Sequence, residues 1–232
     1  MFSIAFWIIF LFLGDEEAAV SFPFPTEPDD HCESPRQAYE HIVKLLEDLG
    51  GKKESNVAIY DPYFCNGGVV KNFQQLGFTN VYNRKEDCYR VWEGQLPPFE
   101  VLVTNPPYSG NHMEHLMKFV TSPSFGNRPW LLLLPNWVHK KDFYVKATKT
   151  IRPFYLVPRK RYVYEPPKDF RAAKKSDVHK KSSPFISMWY VWGGTNEANE
   201  RLIRRCCQTS QTHEWEFARS KSALRDLRRK NR

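Results

Sequence analysis

The sequence predicts an α/β fold in which helices cover both faces of a mostly parallel β-sheet with an antiparallel edge. Short apolar stretches of strand type alternate with segments of helical periodicity over residues 31–157. The last two apolar stretches have no obvious helix between them, which favours an antiparallel pair at one edge. With 232 residues, of which 41% are hydrophobic, the chain has enough apolar material for one core.

The first helix of this fold is expected to start near Ser34. Ser34 can cap the helix, Pro35 suits the first helical position, and Gln37 completes a capping box. Apolar residues then recur at helical spacing until the glycine pair Gly50–Gly51 ends the helix. The later helices are expected at 69–76, 111–120, 139–150, 195–207 and roughly 217–230. The strands are expected at 57–60, 79–83, 99–104, 130–134, 154–157 and 185–192.

The amino-terminal region contains 12 consecutive apolar residues, 2–13. A membrane-spanning helix needs about 20, so this run is too short to span a bilayer. Three interpretations stay open: a signal peptide or membrane anchor, a start-site artefact, or an appended packing segment. The acidic, proline-rich residues 15–30 are interpreted as a linker. The predicted organisation is therefore an amino-terminal region (1–30), one domain (31–194) and a basic helical tail (195–232).

Charge is unevenly distributed along the chain. Residues 1–127 carry 9 Lys and Arg against 17 Asp and Glu, which gives −8, and residues 128–232 carry 25 against 9, which gives +16. A strongly basic second half indicates a polyanionic partner or a solvated basic face. The five cysteines form no CxxC pair, so a disulfide scaffold and a zinc ribbon are both poor fits.

The most informative stretch is Asn105-Pro106-Pro107-Tyr108, which directly follows the apolar strand 99–104. Two consecutive prolines remove two backbone donors and fix two φ angles. Asn105, which precedes Pro106, is pushed into an extended conformation. The result is a rigid loop at a strand end with free carbonyls, one amide side chain and one aromatic ring. Such a loop can accept two hydrogen bonds from a planar NH2 group.

This stretch resembles the motif of the amino-group methyltransferases of the class I S-adenosylmethionine-dependent fold, above all the N6-adenine methyltransferases. The resemblance covers about residues 31–192 and implies a Rossmann-like fold, S-adenosyl-L-methionine as cofactor, and no metal. It implies that the Asn105 side chain and the Pro106 carbonyl hold the target amino group on the Pro106-Pro107 turn. It also implies that the Tyr108 ring stacks on the base.

The segment 61–68 (DPYFCNGG) resembles the same family's cofactor loop, which is typically Asp-Pro-x-x-Gly-x-Gly. Glycines let the backbone approach the cofactor, and an acidic residue can hold its ammonium group. Cys65 stands where a small Gly is common, and we interpret it as a packed residue. A carboxylate usually accepts from the ribose hydroxyls, and here Asn83 or Asp87 could serve. The resemblance implies cofactor contacts at Glu33, Pro35, Asp61, Pro62, Tyr63, Gly67, Gly68, Asn83 and Asp87.

The predicted substrate surface lies mainly in a basic insert at 158–183. Cations interleave there with aromatic residues, which suits phosphates and splayed bases, although a flexible solvated loop is the alternative. Trp137, after the strand 130–134, is predicted either to wall the target pocket or to belong to a helix-capping turn. The basic cluster 225–230 would add phosphate contacts or act as a nuclear address. The insert's candidate contacts are Lys160, Arg161, Tyr162, Lys174 and Lys175.

Three functions are compatible with these motifs. The first is methylation of an exocyclic amino group, adenine N6 in RNA or DNA. The second is methylation of a protein glutamine amide, because that group is also a planar NH2 and its enzymes share Asn-Pro-Pro-Tyr. The third is a non-catalytic nucleic-acid-binding module that retains the fold. The chemistry favours an intracellular location, in the nucleus or the cytoplasm, while membrane association would depend on residues 2–13.

Overall fold

The computed structural model describes residues 23–26, 30, 32–50, 56–164, 186–209 and 214–230. The apolar run 2–13 and the proposed contacts Lys174 and Lys175 lie outside these residues. No helix in the described part of the chain is long and apolar enough to cross a membrane.

In the residues that the structure describes, seven strands form one sheet in the order β2-β1-β3-β4-β6-β5-β7. Strands β1 to β4 pair in parallel with one another, β6 runs antiparallel to both β4 and β5, and β7 runs antiparallel to β5. Five strands therefore point one way and two the other, and the carboxyl ends of the five define one rim of the sheet. The strands are β1 Ile59–Tyr60, β2 Val81–Tyr82, β3 Val101–Thr104, β4 Trp130–Pro135, β5 Phe154–Pro158, β6 Ser187–Trp192 and β7 Trp215–Ala218.

Eight α-helices cover the sheet in the described part of the chain. They are α1 Arg36–Glu40, α2 Val43–Gly50, α3 Gly68–Gln75, α4 Cys88–Glu93, α5 His112–Val120, α6 Asp142–Ala147, α7 Asn196–Thr209 and α8 Lys221–Lys230. Buried residues of α1, α2, α3 and α7 pack on one face, and those of α4, α5, α6 and α8 pack on the other. The predicted α/β class, with helices on both faces and an antiparallel edge, is confirmed.

Strand β4 shows why the central strands are continuous apolar runs in the sequence. All six of its residues are buried. Leu131 and Leu133 point into the core on the α1–α3 side, while Leu132 and Leu134 point into the core on the opposite side. Because each side chain of a strand with two covered faces meets a core, no polar alternation remains in the sequence.

Three predicted elements differ from the structure. The first helix starts at Arg36 with Pro35 as its N-cap and no side-chain cap, and a turn at 41–42 divides it into α1 and α2. The helix expected at 139–150 is a 3-10 turn, Val138–Lys140, followed by the shorter α6. The helix expected from about 217 begins at Lys221, because Trp215–Ala218 is strand β7, which pairs with β5. The tail therefore contributes to the same sheet as the rest of the chain.

Candidate functional site

The loop after β3 places the amide of Asn105 next to the hydroxyl of Tyr108. Pro106 and Pro107 are buried, and the Tyr108 hydroxyl donates to Asn105 Oδ1 at 2.8 Å. The same hydroxyl lies 3.4 Å from the carbonyl oxygen of Leu133, on the neighbouring strand β4. Burial raises the pKa of the Tyr108 phenol well above its usual value, so this hydroxyl stays protonated. The loop therefore presents a fixed amide held by its own tyrosine.

Two further hydroxyls complete this cluster: that of Tyr164, one of the aromatic residues of the basic insert, and that of Ser187, for which the sequence indicated no site role. The hydroxyl of Tyr108 lies 3.2 Å from Ser187 Oγ and 3.3 Å from the hydroxyl of Tyr164. Ser187 begins the otherwise apolar strand β6 and is buried, and burial raises the pKa of Tyr164 to about 12. A lone serine at the start of an apolar strand was the available signal, because a buried hydroxyl needs a partner.

Asp61 lies at the carboxyl end of β1, next to the loop after β3. Its Oδ1 accepts from Thr104 Oγ1 at 2.5 Å and from the backbone nitrogen of Tyr63 at 3.2 Å. Burial raises the pKa of this carboxyl to about 7, although both hydrogen bonds act to lower it. Asp61 and Asn105 line the same cavity. The structure thus brings together Asp61, which was predicted to hold the cofactor, and Asn105, which was predicted to hold the target amino group.

The glycine pair after Asp61 forms a cradle at the start of α3. Gly67 has a φ of +77°, a conformation that favours glycine, and it is the N-cap of the helix. The backbone nitrogen of Gly68 donates to Glu33 Oε1 at 2.9 Å. A Cβ added to Gly68 would overlap the Glu33 carboxylate. This helix terminus therefore holds a carboxylate at very close range.

The two residues proposed for the ribose have different surroundings. Asn83, directly after β2, donates from Nδ2 to the carbonyl oxygen of Asp61 at 3.1 Å. Its Oδ1 is buried and has no hydrogen-bond partner among the described residues, so an acceptor remains available there. Asp87 caps α4 and accepts from the backbone nitrogens of Tyr89 and Arg90. Asn83 is therefore the better candidate of the two.

The described residues of the segment interpreted as a linker, 23–26 and Asp30, pack over the site. Asp30 Oδ1 accepts from the backbone nitrogens of Tyr108 and Ser109 at 2.9 and 3.1 Å, and its other oxygen accepts from Ser109 Oγ. The Phe24 ring lies edge-on to the rings of Tyr63 and Tyr89, at centroid distances of 5.9 and 5.4 Å. We call residues 23–26, Asp30 and Glu33 the strap, because they contact the loops after β1 and β3 and the helix α4.

The cavity that the strap covers is small. The cavity lined by Asp61, Asn105 and the glycine pair measures about 50 Å³ and is bordered by Phe24, Asp30 and Glu33 of the strap. Binding sites for ligands of drug size are typically ~300–1,000 Å³. Phe24 also lines a second groove of about 840 Å³, together with Tyr89, Trp92 and Phe119 among others. A nucleoside-sized ligand in the first cavity therefore requires the strap to shift.

His112, the first residue of α5, is buried between the strap and α4. Its Nδ1 contacts the hydroxyl of Tyr89, and its Nε2 lies 3.0 Å from the carbonyl oxygen of Pro25. Burial lowers the pKa of the imidazole, which favours the neutral form. No group of three or more His, Cys, Asp or Glu residues with metal-binding geometry occurs in the described part of the chain.

The remaining cofactor candidates fall into two groups. Tyr63 and Glu33 line the cavity with Asp61 and the neighbouring Cys65, whereas Pro62 is buried outside the cavity lining and Pro35 serves as the N-cap of α1. Burial raises the pKa of the Cys65 thiol to about 12. The thiol is therefore protonated at neutral pH, as expected of a packed residue rather than a nucleophile.

The candidate substrate residues are more scattered than the sequence suggested. Lys160 and Arg161 are exposed just after β5. Tyr162 is 2% exposed, and its hydroxyl lies 2.7 Å from His41 Nδ1 in the core, so its ring is not accessible to a base. The stacking role predicted for Tyr162 is therefore wrong in this structure. Trp137 is half-buried and packs against the core, with Lys141 Nζ 5.1 Å from its ring centroid.

Comparison with known proteins leaves the family open. No protein-family model matches the chain, and no curated protein matches it. One similar solved structure comes from Listeria monocytogenes and bears a provisional name as a class I S-adenosylmethionine-dependent methyltransferase. It shares 14% sequence identity at a TM-score of 0.44 and aligns with 70% of this chain and 60% of its own. This similarity establishes neither the family nor the activity.

Proposed function

We propose that this protein is an S-adenosyl-L-methionine-dependent methyltransferase that acts on an exocyclic amino group, adenine N6 in RNA or DNA. The observation that carries the proposal is that Asp61 and Asn105, from two different strand ends, line one cavity. A carboxylate for the cofactor's ammonium group and an amide for the target amino group are the two polar functions that the reaction requires. Ligands of open α/β sheets bind at this end of the strands.

The residues around Asp61 suit this cofactor chemically. Glu33 already places a carboxylate on the backbone nitrogen of Gly68, which supports a site for the cofactor's own carboxylate. The unpartnered Oδ1 of Asn83 suits a ribose hydroxyl. When bound, the cofactor would supply an electrophilic methyl group. Asp61, Gly68 and Asn83 would hold it, provided that the strap shifts to enlarge the cavity.

Asn105 would act on the target amino group. Its Oδ1 uses one lone pair for the Tyr108 hydroxyl, which leaves a second lone pair for an N–H of the target. Two acceptors on the hydrogens of an amino group favour a more pyramidal nitrogen, whose lone pair would attack the methyl carbon as the bond from that carbon to sulfur breaks. The methylated nitrogen would then lose one proton to water. The Pro106 carbonyl would be the second acceptor. Preorganised dipoles of this kind act at the reacting centre without reorganisation.

Charge supports a nucleic acid over a protein as the substrate. Residues 128–232 carry a net charge of +16 (25 cations and 9 carboxylates), and a polyanion would neutralise it. The glutamine-amide alternative shares the planar NH2 and the Asn105 chemistry, but it gives no role to this charge. A base in the pocket would have to be unpaired or flipped out of a duplex.

The experiment is methyl transfer with labelled S-adenosylmethionine and separate RNA, DNA and protein fractions. We expect label in RNA or DNA, recovered as N6-methyladenine after digestion. Asn105→Ala is the matched negative control. Recovery of methylglutamine would replace the nucleic-acid substrate with a protein. Cofactor binding without transfer to any fraction would favour the non-catalytic module, and absence of cofactor binding by folded protein would contradict the proposal.

A further inference from the structure

Helix α8 is fixed along one face of the sheet, with its carboxyl end at the rim that carries the Asn105 loop. Arg228 Nη2 donates to the carbonyl oxygen of Asn136 at 2.6 Å, and Asn136 directly follows β4. Near the start of the helix, Lys221 Nζ donates to Thr148 Oγ1 at 3.4 Å, and Leu224 is buried in the core. These contacts set the direction of the helix relative to the sheet.

The anchored end of α8 lies close to the hydroxyl cluster of the pocket. Ser187, which lies 3.2 Å from the Tyr108 hydroxyl, pairs with Pro135 in the sheet. Asn136, the residue that Arg228 binds, comes directly after Pro135 and donates its backbone N–H to Ile186. Arg228 is therefore connected to the Asn105 pocket through the end of β4 and Ser187, which contacts Tyr108.

The surface at this end of α8 is strongly basic. The helix contains five cations and one carboxylate. Among the described residues, the nearest carboxylate to an Arg229 nitrogen is that of Asp226, at 4.0 Å. The helix dipole favours cations in the last turn of a helix. It does not explain Lys140 and Lys141, two further exposed lysines that follow β4. We define the basic ridge as the exposed residues Lys140, Lys141, Arg225, Arg229 and Lys230.

We propose that the basic ridge binds the phosphate backbone of the nucleic acid whose base enters the Asn105 pocket. This inference rests on the proposed function and names the surface that holds the substrate. Lys and Arg neutralise phosphates and release condensed counterions, which gives salt-dependent affinity. Lys141 Nζ lies over the ring of the half-buried Trp137, which fixes this lysine of the ridge beside the end of β4. The ridge holds and orients the strand, while the Asn105 loop contacts the base.

The test measures binding of the full-length protein to labelled single-stranded RNA and DNA oligonucleotides over a range of salt concentrations. The ridge variant carries Arg225→Gln, Arg229→Gln and Lys230→Gln, and it leaves the anchors Arg228 and Leu224 unchanged. We expect affinity to fall on the order of 10-fold at moderate salt, with a log–log salt slope smaller by ~0.7 for each lost phosphate contact.

A matched control removes three cations from the opposite rim. Lys146→Gln, Lys149→Gln and Arg152→Gln replace exposed residues that precede β5, at the far end of the sheet. We expect affinity and slope to stay within twofold of the wild type. Equal losses in the ridge and control variants would overturn the ridge as a site, because diffuse charge would then explain binding. A wild type that binds neither nucleic acid would also overturn it.

The same oligonucleotides separate this inference from the proposed function. If the ridge variant alone loses binding and the wild type transfers no methyl group, the ridge stands and the methyltransferase proposal fails. If the wild type methylates the oligonucleotide and the ridge variant binds and methylates it normally, the methyltransferase proposal stands and the ridge is wrong. Thermal unfolding of each variant confirms that it is folded before it is scored.

Discussion

The hydroxyl of Tyr108 donates a 2.8 Å hydrogen bond to Oδ1 of Asn105, three residues earlier in the same loop. The resemblance seen in the sequence implies a stacking role for the Tyr108 ring and no role for its hydroxyl. The bond changes that expectation, because it fixes the orientation of the Asn105 side-chain amide and so the position of Oδ1. An amide that rotates freely would present its NH2 group to the target for part of the time, and two donors facing each other repel.

Tyr108→Phe should therefore slow methyl transfer while the protein stays folded. A neutral hydrogen bond contributes about 0.5–1.5 kcal/mol, so we expect a loss of ~3- to 10-fold in the single-turnover rate. Tyr82→Phe is a matched control, because the Tyr82 hydroxyl bonds to Glu86 at the other edge of the sheet. A Tyr108→Phe rate equal to that of the control would mean that the hydroxyl does not orient Asn105.

Asn105→Ala should cause a much larger loss of rate. Removal of one preorganised polar contact at a reacting centre costs about 3 kcal/mol, or ~100-fold in rate. The loop should keep its shape, because the prolines and the Asp30 contacts hold its backbone. Cofactor affinity, measured by calorimetry, should therefore change little. Asn111→Ala, at an exposed asparagine in the next turn, is the control. A near-normal rate for folded Asn105→Ala would refute the mechanism.

Asp61 should make the stability of the protein depend on pH. Its pKa is about 7 in the folded state and 3.8 as the reference value, so the folded state binds the proton more tightly than the unfolded state does. The free energy of unfolding should then fall as pH rises from about 4 to about 7, by about 2–3 kcal/mol between pH 5 and pH 8. Urea unfolding at the two pH values measures this difference, and Asp61→Asn should abolish it.

Cofactor binding should release a proton near neutral pH. The cofactor's ammonium group would favour the ionised form of Asp61, which is protonated in about half of the free molecules at its pKa of about 7. Calorimetry in two buffers of different ionisation enthalpy counts the protons released. We expect about half a proton per site at pH 7 and close to none at pH 8.5. A pH-independent proton count of zero would remove Asp61 from contact with the ammonium group.

Gly68→Ala should separate the effect of the Gly67–Gly68 turn on stability from its effect on cofactor binding. The added Cβ overlaps the Glu33 carboxylate, so the single variant should lose about 1–3 kcal/mol of stability together with cofactor binding. Adding Glu33→Ala should restore stability without restoring cofactor binding, because the Cβ still blocks the backbone nitrogen. A double-mutant cycle by urea unfolding measures the coupling. Independent, additive effects would show that the two residues do not compete for this space.

Phe24→Ala should speed the entry of the cofactor. Phe24 lines both cavities and its ring contacts Tyr63 and Tyr89, so its removal weakens the strap where the cavity must widen. Stopped-flow measurements should show a faster association rate at an unchanged or lower stability. A variant that is less stable but associates at the wild-type rate would mean that Phe24 is only a packing residue.

The sequence predicted the elements whose formation depends on local patterns. The rigid loop at Asn105 follows from two prolines after an apolar strand, and the α3 cradle follows from Gly67 and Gly68. Strand β7 was missed, because a four-residue strand in a basic region depends on pairing with β5, about 60 residues earlier. The strap was missed for a related reason. Its acidic and proline-rich composition is typical of a linker. Only the folded chain brings Asp30 to the backbone of Tyr108.

Strand β6 has a consequence for how the chain folds. It fills the gap between β4 and β5, so β5 has no neighbour on that side of the sheet until residues 187–192 have been synthesised. A ribosome-bound chain would therefore carry the apolar strand Phe154–Pro158 unpaired, and such an edge is prone to aggregation. Pairing over long sequence separations is also slow. Folding of this half should be late and cooperative, and it should depend on completion of translation.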